Sequence, residues 1–524
     1  MTLGTNPAAV TDPGLKRNLG VVGLTAIGFS NIVGSGWLFS SMYAARIAGP
    51  ASLLAWLGAG ALCMLVAWVM VALGAARPEG GGTVRWPLQS SGRLVGSVVG
   101  VSVLLTVGGT AAEITAILKY AAHYLPWLYS RGDITGRGVL VAMLLSVVLS
   151  ALNWYGVRLF ARLNNVLTVV KIVVPLLTVV ALIASGFHPS RLTAHGGFAP
   201  YGYAAVLSAL STGGIVYSVN GFQAAADFSG EARNPRRDVP RAIIAGIGLA
   251  VLVYVLLQLA FLFAVPESSL ASGWHGVDFE SPFGQLALIL NLQWLSVLLY
   301  ADAVISPGGS GYVGVAIDGR HTYALAKNGV LPRFFLAVEQ RSGIPRRALA
   351  LNLAVILVFL LPLGGWQQVV AVVGDLYLLT YAAVAVSAGA FQDQPNRGGD
   401  GWIPDVRRVA PISFVVATEF VYWSGWHELR IALGLTLLGV PLFLLAWRRW
   451  HPEPLLVELR RGAWVVCYLL ALLVISRLGS FGGADALPAP VDSVLVAVLG
   501  ALTYVWAVRS SREYLRQEQP VPVA

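Results

Sequence analysis

The sequence predicts an all-α polytopic membrane protein with about 14 transmembrane helices, and three observations predict it. Of 524 residues, 56% are hydrophobic and only 11% are charged, against roughly 25% charged in a soluble domain. The apolar residues gather in long unbroken stretches, giving a mean hydropathy of +0.72. Lys and Arg collect on one side of the resulting alternation, as cytoplasmic loops require.

A bilayer core needs about 20 apolar residues per helix. Fourteen stretches approach that length: Leu19–Ala48, Ala51–Ala76, Leu94–Leu125, Gly138–Tyr155, Leu163–Gly186, Tyr203–Gly230, Ala242–Val265, Phe283–Ile305, Ala348–Leu363, Val369–Phe391, Pro411–Trp423, Ile431–Trp447, Ala463–Ile475 and Val491–Val508. The eleventh and thirteenth are short. With the N-terminus inside, 27 of the 35 basic residues fall in inside loops, and only Arg131, Arg137, Arg191, Arg430 and Arg477 fall outside. That bias predicts an even number of spans with both termini cytoplasmic. The stretches are apolar all round, whereas barrel strands alternate over about ten residues.

The organisation that follows is an N-terminal tail (1–18), a ten-helix core (19–391), a Gly-, Asp- and Pro-rich linker (392–410), four further helices (411–508) and a C-terminal tail (509–524). The first apolar run has no cleavage site and reads as a retained helix. The net charge of +10 is accounted for by inside loops, so nucleic acid is not an expected partner. Cys63 and Cys467 lie inside apolar runs and the seven histidines are scattered, so neither a disulfide framework, a metal site nor a cofactor is expected. There is no phosphate-binding loop before a helix and no assembled nucleophile and base, so neither ATP-driven transport nor enzymatic chemistry is predicted.

Two of the stretches are interrupted. The first contains Asn31-Ile32-Val33-Gly34-Ser35-Gly36-Trp37; the sixth contains Thr212-Gly213-Gly214 and then Ser218-Val219-Asn220-Gly221-Phe222. Irregular backbone at membrane depth survives only where protein buries it or where it lines a wet cavity. Helix one opens the first five spans and helix six the next five. Paired breaks at equivalent places point to an inverted-repeat transporter, here with repeats 19–186 and 203–391, and a site at the midplane. A half-helix beginning near Gly36 would aim free N–H groups at a carboxylate. Free carbonyls around Tyr217, Ser218 and Val219 would accept from an ammonium. Glycine packing alone explains any single break equally well.

At these residues the sequence resembles amino-acid permeases of the amino acid–polyamine–organocation superfamily. The first marker is Ile32 to Phe39 followed by Ala48-Gly49-Pro50-Ala51. The second is Asn220-Gly221-Phe222 with Gly230-Glu231-Ala232-Arg233-Asn234-Pro235 and the basic run to Arg241. The third is Asp318-Gly319-Arg320 with Tyr323 to Ala326 and Asn328 to Pro332. The resemblance implies a five-plus-five inverted repeat (a LeuT-like core) working by alternating access. It implies that Val33, Gly34, Ser35 and Gly36 bind the substrate carboxylate, that Tyr217, Ser218 and Val219 hold the amino group, and that Tyr217 gates the site. The chain departs from the pattern at Gln223, where relatives commonly carry an acid, and at Asn220, which replaces an apolar residue. Asn220 either touches the substrate side chain or satisfies the break next to Gly221.

Ionisable residues inside a membrane default to functional candidates. Lys171 lies in the fifth stretch and matches a lysine that many sodium-independent permeases carry there. The resemblance implies that it stands in for a sodium ion and cycles a proton; a permanently charged Lys171 would suit exchange or uniport instead. Glu113 in span three and Asp302 in span eight are candidate proton acceptors or structural carboxylates. Asp375, Glu419 and Asp227 are further intramembrane acids.

The function expected is secondary transport of an amino acid across the cell membrane, coupled to a proton. The length and span number also resemble the branch containing bacterial aspartate–proton symporters, making acidic amino acids one candidate; Glu113 and Asp302 fit a cationic substrate equally. Beside it stand a sodium-independent exchanger, a non-transporting amino-acid sensor and an inorganic-ion cotransporter on the same fold. The expected partners are the amino acid, the proton and membrane lipid.

Overall fold

In a computed structural model, the chain is described over residues 19–77, 82–130, 133–155, 157–228, 231–339, 344–361, 365–392, 406–450 and 454–518. The N-terminal tail with Lys16 and Arg17, most of the linker with Arg397, the last six residues of the C-terminal tail, and Arg131, Gly230 and Arg341 lie outside the described residues.

Helices account for nearly all of the ordered backbone. The first group of helices comprises α1 (Val21–Ile32), α2 (Gly36–Ala48), α3 (Ser52–Ala76), α4 (Gly82–Leu105), α5 (Gly108–Ala121), α6 (Gly136–Leu152) and α7 (Val157–Ser185). The second holds α8 (Ala204–Thr212), α9 (Ile215–Val219), α10 (Gln223–Asp227), α11 (Pro235–Ala264), α12 (Pro282–Ile289), α13 (Gln293–Lys327), α14 (Arg346–Phe359) and α15 (Trp366–Phe391). Beyond it come α16 (Val406–Trp423), α17 (Trp426–Leu437), α18 (Gly439–Trp450), α19 (Leu455–Leu478) and α20 (Val491–Glu518). Among the described residues, eight helical stretches are long and apolar enough to cross a membrane, and nine when the bent pair α8 with α9–α10 counts as one. The protein is therefore an all-α, multi-pass membrane protein.

Each predicted stretch is helical, but several boundaries move. The eighth, expected at Phe283–Ile305, divides into the short α12 and the 35-residue α13, which runs on to Lys327. Asp318 to Ala326 of the third sequence marker, expected in a loop, therefore lie on the C-terminal part of α13, and Asn328 to Pro332 follow its end. Hydropathy fails there because Asp318, Arg320 and His321 interrupt the apolar run, although Asp318 and His321 are buried against neighbouring helices. Helix α4 is broken at Gly92 (φ 86°), so the third stretch begins where expected, preceded by a separate helical segment, and it is interrupted again at Thr106-Val107 between α4 and α5. The twelfth divides into α17 and α18.

Packing arranges these helices around the two breaks. α1 contacts α7, α11 and α13, and α5 contacts α13 and α15. The central α15 has 94% of its span buried inside the protein, whereas α19 and α20 bury 39% each. Valines 166, 169, 173 and 180 on α7 and Val494, Val498, Leu502 and Val505 on α20 are exposed. Apolar stripes of that extent need a hydrocarbon surround. α16 packs on α3 and α15, and α19 and α20 pack on α4, so the last helices form an outer flank.

Candidate functional site

The first break follows directly from the glycines. α1 ends at Ile32, Val33 leaves helical geometry (φ −84°, ψ 88°), and α2 starts afresh at Gly36. The second break has two steps. Gly214 (φ 76°) separates α8 from α9, and Gly221 (φ 110°) separates α9 from α10. Both are left-handed conformations that L-residues with side chains rarely adopt. The two breaks touch: Asn31 Nδ2 donates to the Gly221 carbonyl at 3.1 Å.

Between them lies a polar cavity, open on one side, with about 410 Å³ of atom-free space including its mouth. Asn31 and Ile32 line it from the first break, and Tyr217, Asn220 and Gly221 from the second. Thr106, Gly109, Thr110 and Glu113 line it from the α4–α5 side, Ser310, Gly311, Gly314 and Asp318 from α13, and Tyr377 from α15. The walls offer hydroxyls, two amides and two carboxylates, with no Lys or Arg among them.

Glu113 occupies the cradle at the first break. The Ser35 N–H, left without a helical acceptor at the start of α2, donates to Glu113 Oε2 at 2.6 Å. The Tyr217 hydroxyl donates to Glu113 Oε1 at 2.9 Å and lies 3.2 Å from the Gly109 carbonyl. The positive end of the α2 dipole adds to this anion site. A β-carbon at Gly34 would collide with the Glu113 carboxylate, and one at Gly36 would collide with the side chain and backbone of Ser218. Trp366 Nε1 donates to Ser35 Oγ at 2.8 Å and so fixes the first turn of α2.

The other expected residues divide by position. Val33 is buried at the break, and Val219 is buried on α9. Ser218 turns away from the cavity, bonding Ser40 Oγ at 2.8 Å and the Gly214 carbonyl at 2.7 Å. Asn220 Oδ1 accepts from the Gly221 N–H at 2.7 Å and from the Tyr381 hydroxyl, while its Nδ2 is buried without a partner among the described residues. Gln223 Oε1 accepts from the same Tyr381 hydroxyl at 2.9 Å and from the Gly221 N–H at 3.0 Å.

Lys171 is fully buried behind the first break, where Nζ donates to the Ser30 carbonyl at 2.5 Å. Its stem packs on α13 beside Gly309. Asp302 is buried on α13, with one carboxylate oxygen accepting from Ser306 at 2.9 Å and the other unpartnered among the described residues. Neither Asp302 nor Glu113 forms an ion pair with Lys171. Asp375 accepts from Ser424 at 2.7 Å, at the flank and away from the cavity.

Sequence reasoning missed several wall residues. Asn31 stood within the quoted glycine motif and Asp318 within the third marker, so both were visible but unassigned. Thr106, Thr110, Ser310 and Tyr377 carry no local signal, because only tertiary packing turns them inward.

Comparison with known proteins bears on this arrangement as a whole. The family model described as amino acid permease matches residues 19–494, which includes both breaks, α5, α7 and α13. The chain is 34% identical to the glutamate/serine transporter AimA of Bacillus subtilis (strain 168), over 97% of its own length and 96% of that protein's. It is 32% identical to the aspartate-proton symporter of the same organism, over 94% and 96% of the two chains. Cationic amino acid transporter 4 of Mus musculus is 27% identical, over 72% of this chain and 60% of that one. With a family match spanning both breaks and two relatives aligned almost end to end, the chain belongs to the amino acid permease family.

Proposed function

We propose that the protein is a secondary active transporter that carries an amino acid with a proton across the cell membrane by alternating access. It crosses the membrane fourteen times with both termini in the cytoplasm, and its core is the five-plus-five inverted repeat of residues 19–391. It moves its substrate unchanged and catalyses no bond exchange.

One observation carries this reading: the Ser35 N–H and the Tyr217 hydroxyl hold a carboxylate, that of Glu113, beside a polar cavity at the point where two broken helices meet. A substrate carboxylate fits the same donors once Glu113 withdraws. A proton on Glu113 removes its charge and weakens its hold on the cradle, since hydrogen bonds to a charged acceptor are about twice as strong as neutral ones. Protonation and substrate binding are then linked at one place. Lys171 supplies an ammonium to the α1 carbonyls in place of a metal cation and gives up its proton during the cycle. Asp302 is a further acceptor on α13.

The relatives that transport glutamate, serine and aspartate support an acidic or small polar substrate. The cavity hydroxyls of Thr106, Thr110, Ser310 and Tyr377 are suited to a polar side chain. The Lys171 bond to the Ser30 carbonyl carries a second reading: an ammonium that stays on the α1 carbonyls throughout the cycle leaves that proton uncoupled, and the protein then exchanges amino acids instead of pumping them.

The test is uptake of labelled L-aspartate, L-glutamate, L-serine and L-arginine into proteoliposomes under an inward proton gradient without sodium, for native protein and Lys171→Ala. Gradient-driven accumulation that collapses in the variant is expected. Accumulation untouched by the substitution makes Lys171 a structural cation. Uptake that requires amino acid preloaded inside establishes the exchanger.

A further inference from the structure

Beyond the cradle, the cavity ends on a buried acid–imidazole–acid cluster. Asp318 lines the cavity wall. One turn on, His321 places Nδ1 3.9 Å from Asp318 Oδ1, about 1 Å beyond a hydrogen bond. His321 Nε2 lies 3.0 Å from Asp227 Oδ2 on α10. The Thr83 hydroxyl at the start of α4 lies 3.4 Å from both Asp227 and His321. All four residues are at most 5% exposed. His321 Nδ1 is buried with no hydrogen-bond partner among the described residues.

The other charged groups are placed just outside. Arg320 pairs with Glu231 at 3.0 Å and stacks over the Phe228 ring. Glu231 in turn joins the start of the chain, its carbonyl accepting from the Leu19 N–H at 3.1 Å. From α15, Tyr377 shares the cavity wall with Asp318. The cluster thus runs from the cavity to the end of α13 that carries Arg320 and Lys327, the end assigned to the cytoplasm.

We infer that Asp318, His321 and Asp227 form a proton relay between the cavity and the cytoplasm, separate from Lys171 and Asp302. This rests on the proposed proton coupling. With Nε2–H donated to Asp227, the tautomer leaves a lone pair on Nδ1 facing Asp318. A proton carried on Asp318 passes to Nδ1 after a small approach, and the Nε2 proton passes to Asp227. Asp318 is left ionised, Asp227 protonated and the imidazole neutral, so charge and protons balance. Asp227 then releases its proton toward the Arg320–Glu231 end. Because the relay joins α4, α10 and α13, separation of those elements would also break it, limiting proton flow to one phase of the cycle.

His321→Gln and Asp227→Asn test it, in proteoliposomes with a pH-sensitive dye inside and labelled L-aspartate, L-glutamate and L-serine as probes. Gradient-driven accumulation and lumen acidification should both fall by about tenfold or more, the scale of a positioned proton-transfer group. Counterflow of the same amino acid at equal pH should persist. Native-like accumulation, acidification and pH profile in both variants overturn the relay. Loss of counterflow together with accumulation makes the cluster a structural clasp and overturns it equally. Native protein that supports counterflow without gradient-driven uptake refutes proton coupling itself, before any variant is compared.

Discussion

Gly36→Ala probes how closely the two broken helices must approach. The added methyl would lie 2.7 Å from Ser218 Cβ and 2.9 Å from Ser218 Cα, where ordinary carbon contacts are about 3.5–4.0 Å. The clash includes backbone, so no side-chain rotation removes it, and α2 and α9 must part by about 1 Å. That separation strains the Ser40–Ser218 bond and shifts the Ser35 N–H off its carboxylate. Overpacking of this kind costs about 1–3 kcal/mol, equivalent to about 5- to 150-fold in the occupancy of the closed arrangement. The assay is counterflow and gradient-driven uptake, with thermal stability measured alongside. Gly248→Ala in α11 is the control, because a β-carbon there meets nothing within 4 Å and Ala is the better helix former. Gly36→Ala should lose most uptake while Gly248→Ala keeps it. Equal uptake in the two variants would refute the claim that this contact sets the site.

Tyr217→Phe removes the hydroxyl that donates to Glu113 and leaves the ring in place. It should weaken substrate binding by about 0.5–1.5 kcal/mol, the difference between the hydroxyl's bond to a substrate carboxylate and its bond to protonated Glu113, read as a raised half-saturation concentration in counterflow; an unchanged value would remove Tyr217 from the cradle. Trp366→Phe deletes the Nε1 bond to Ser35 while keeping an aromatic ring against Phe39 and Tyr43. Uptake should fall by a factor corresponding to about 1 kcal/mol with little change in melting temperature, and a melting-temperature loss without a transport defect would make Trp366 a packing residue only.

The helix breaks were legible in sequence because leaving helical geometry in a membrane demands special residues. Gly34, Gly36, Gly214 and Gly221 mark those places on the chain itself. Lys171 was legible for a related reason, since an isolated ammonium in an apolar run needs a partner. The partner, Ser30, was not legible, being 141 positions away. The Ser35–Glu113 bond spans 78 positions and was equally illegible: Glu113 was read as a proton acceptor or structural carboxylate in span three, and its carboxylate sits in the cradle assigned to substrate. The C-terminal part of α13 failed for the opposite reason. Hydropathy scores each residue against lipid, and it cannot register that Asp318 and His321 face protein.

The first break remains ordered because side chains from four other helices replace the lost backbone partners. The Ser30 carbonyl takes Lys171 from α7, the Asn31 carbonyl takes Ser310 from α13, the Ile32 carbonyl takes Tyr254 from α11, and the Ser35 N–H takes Glu113 from α5. An unsatisfied polar group at this depth costs several kcal/mol, so each bond holds its helix to the break, and rearrangement requires an exchange of partners. Glu113 makes such an exchange inexpensive. When a substrate carboxylate enters the cradle it displaces a like group, so binding gains only the difference between two similar charge-assisted bonds, while departure of the substrate leaves the Ser35 N–H satisfied again. A transporter must release what it binds on the far side, and a built-in competitor with the chemistry of the substrate limits affinity without leaving the broken backbone unpaired.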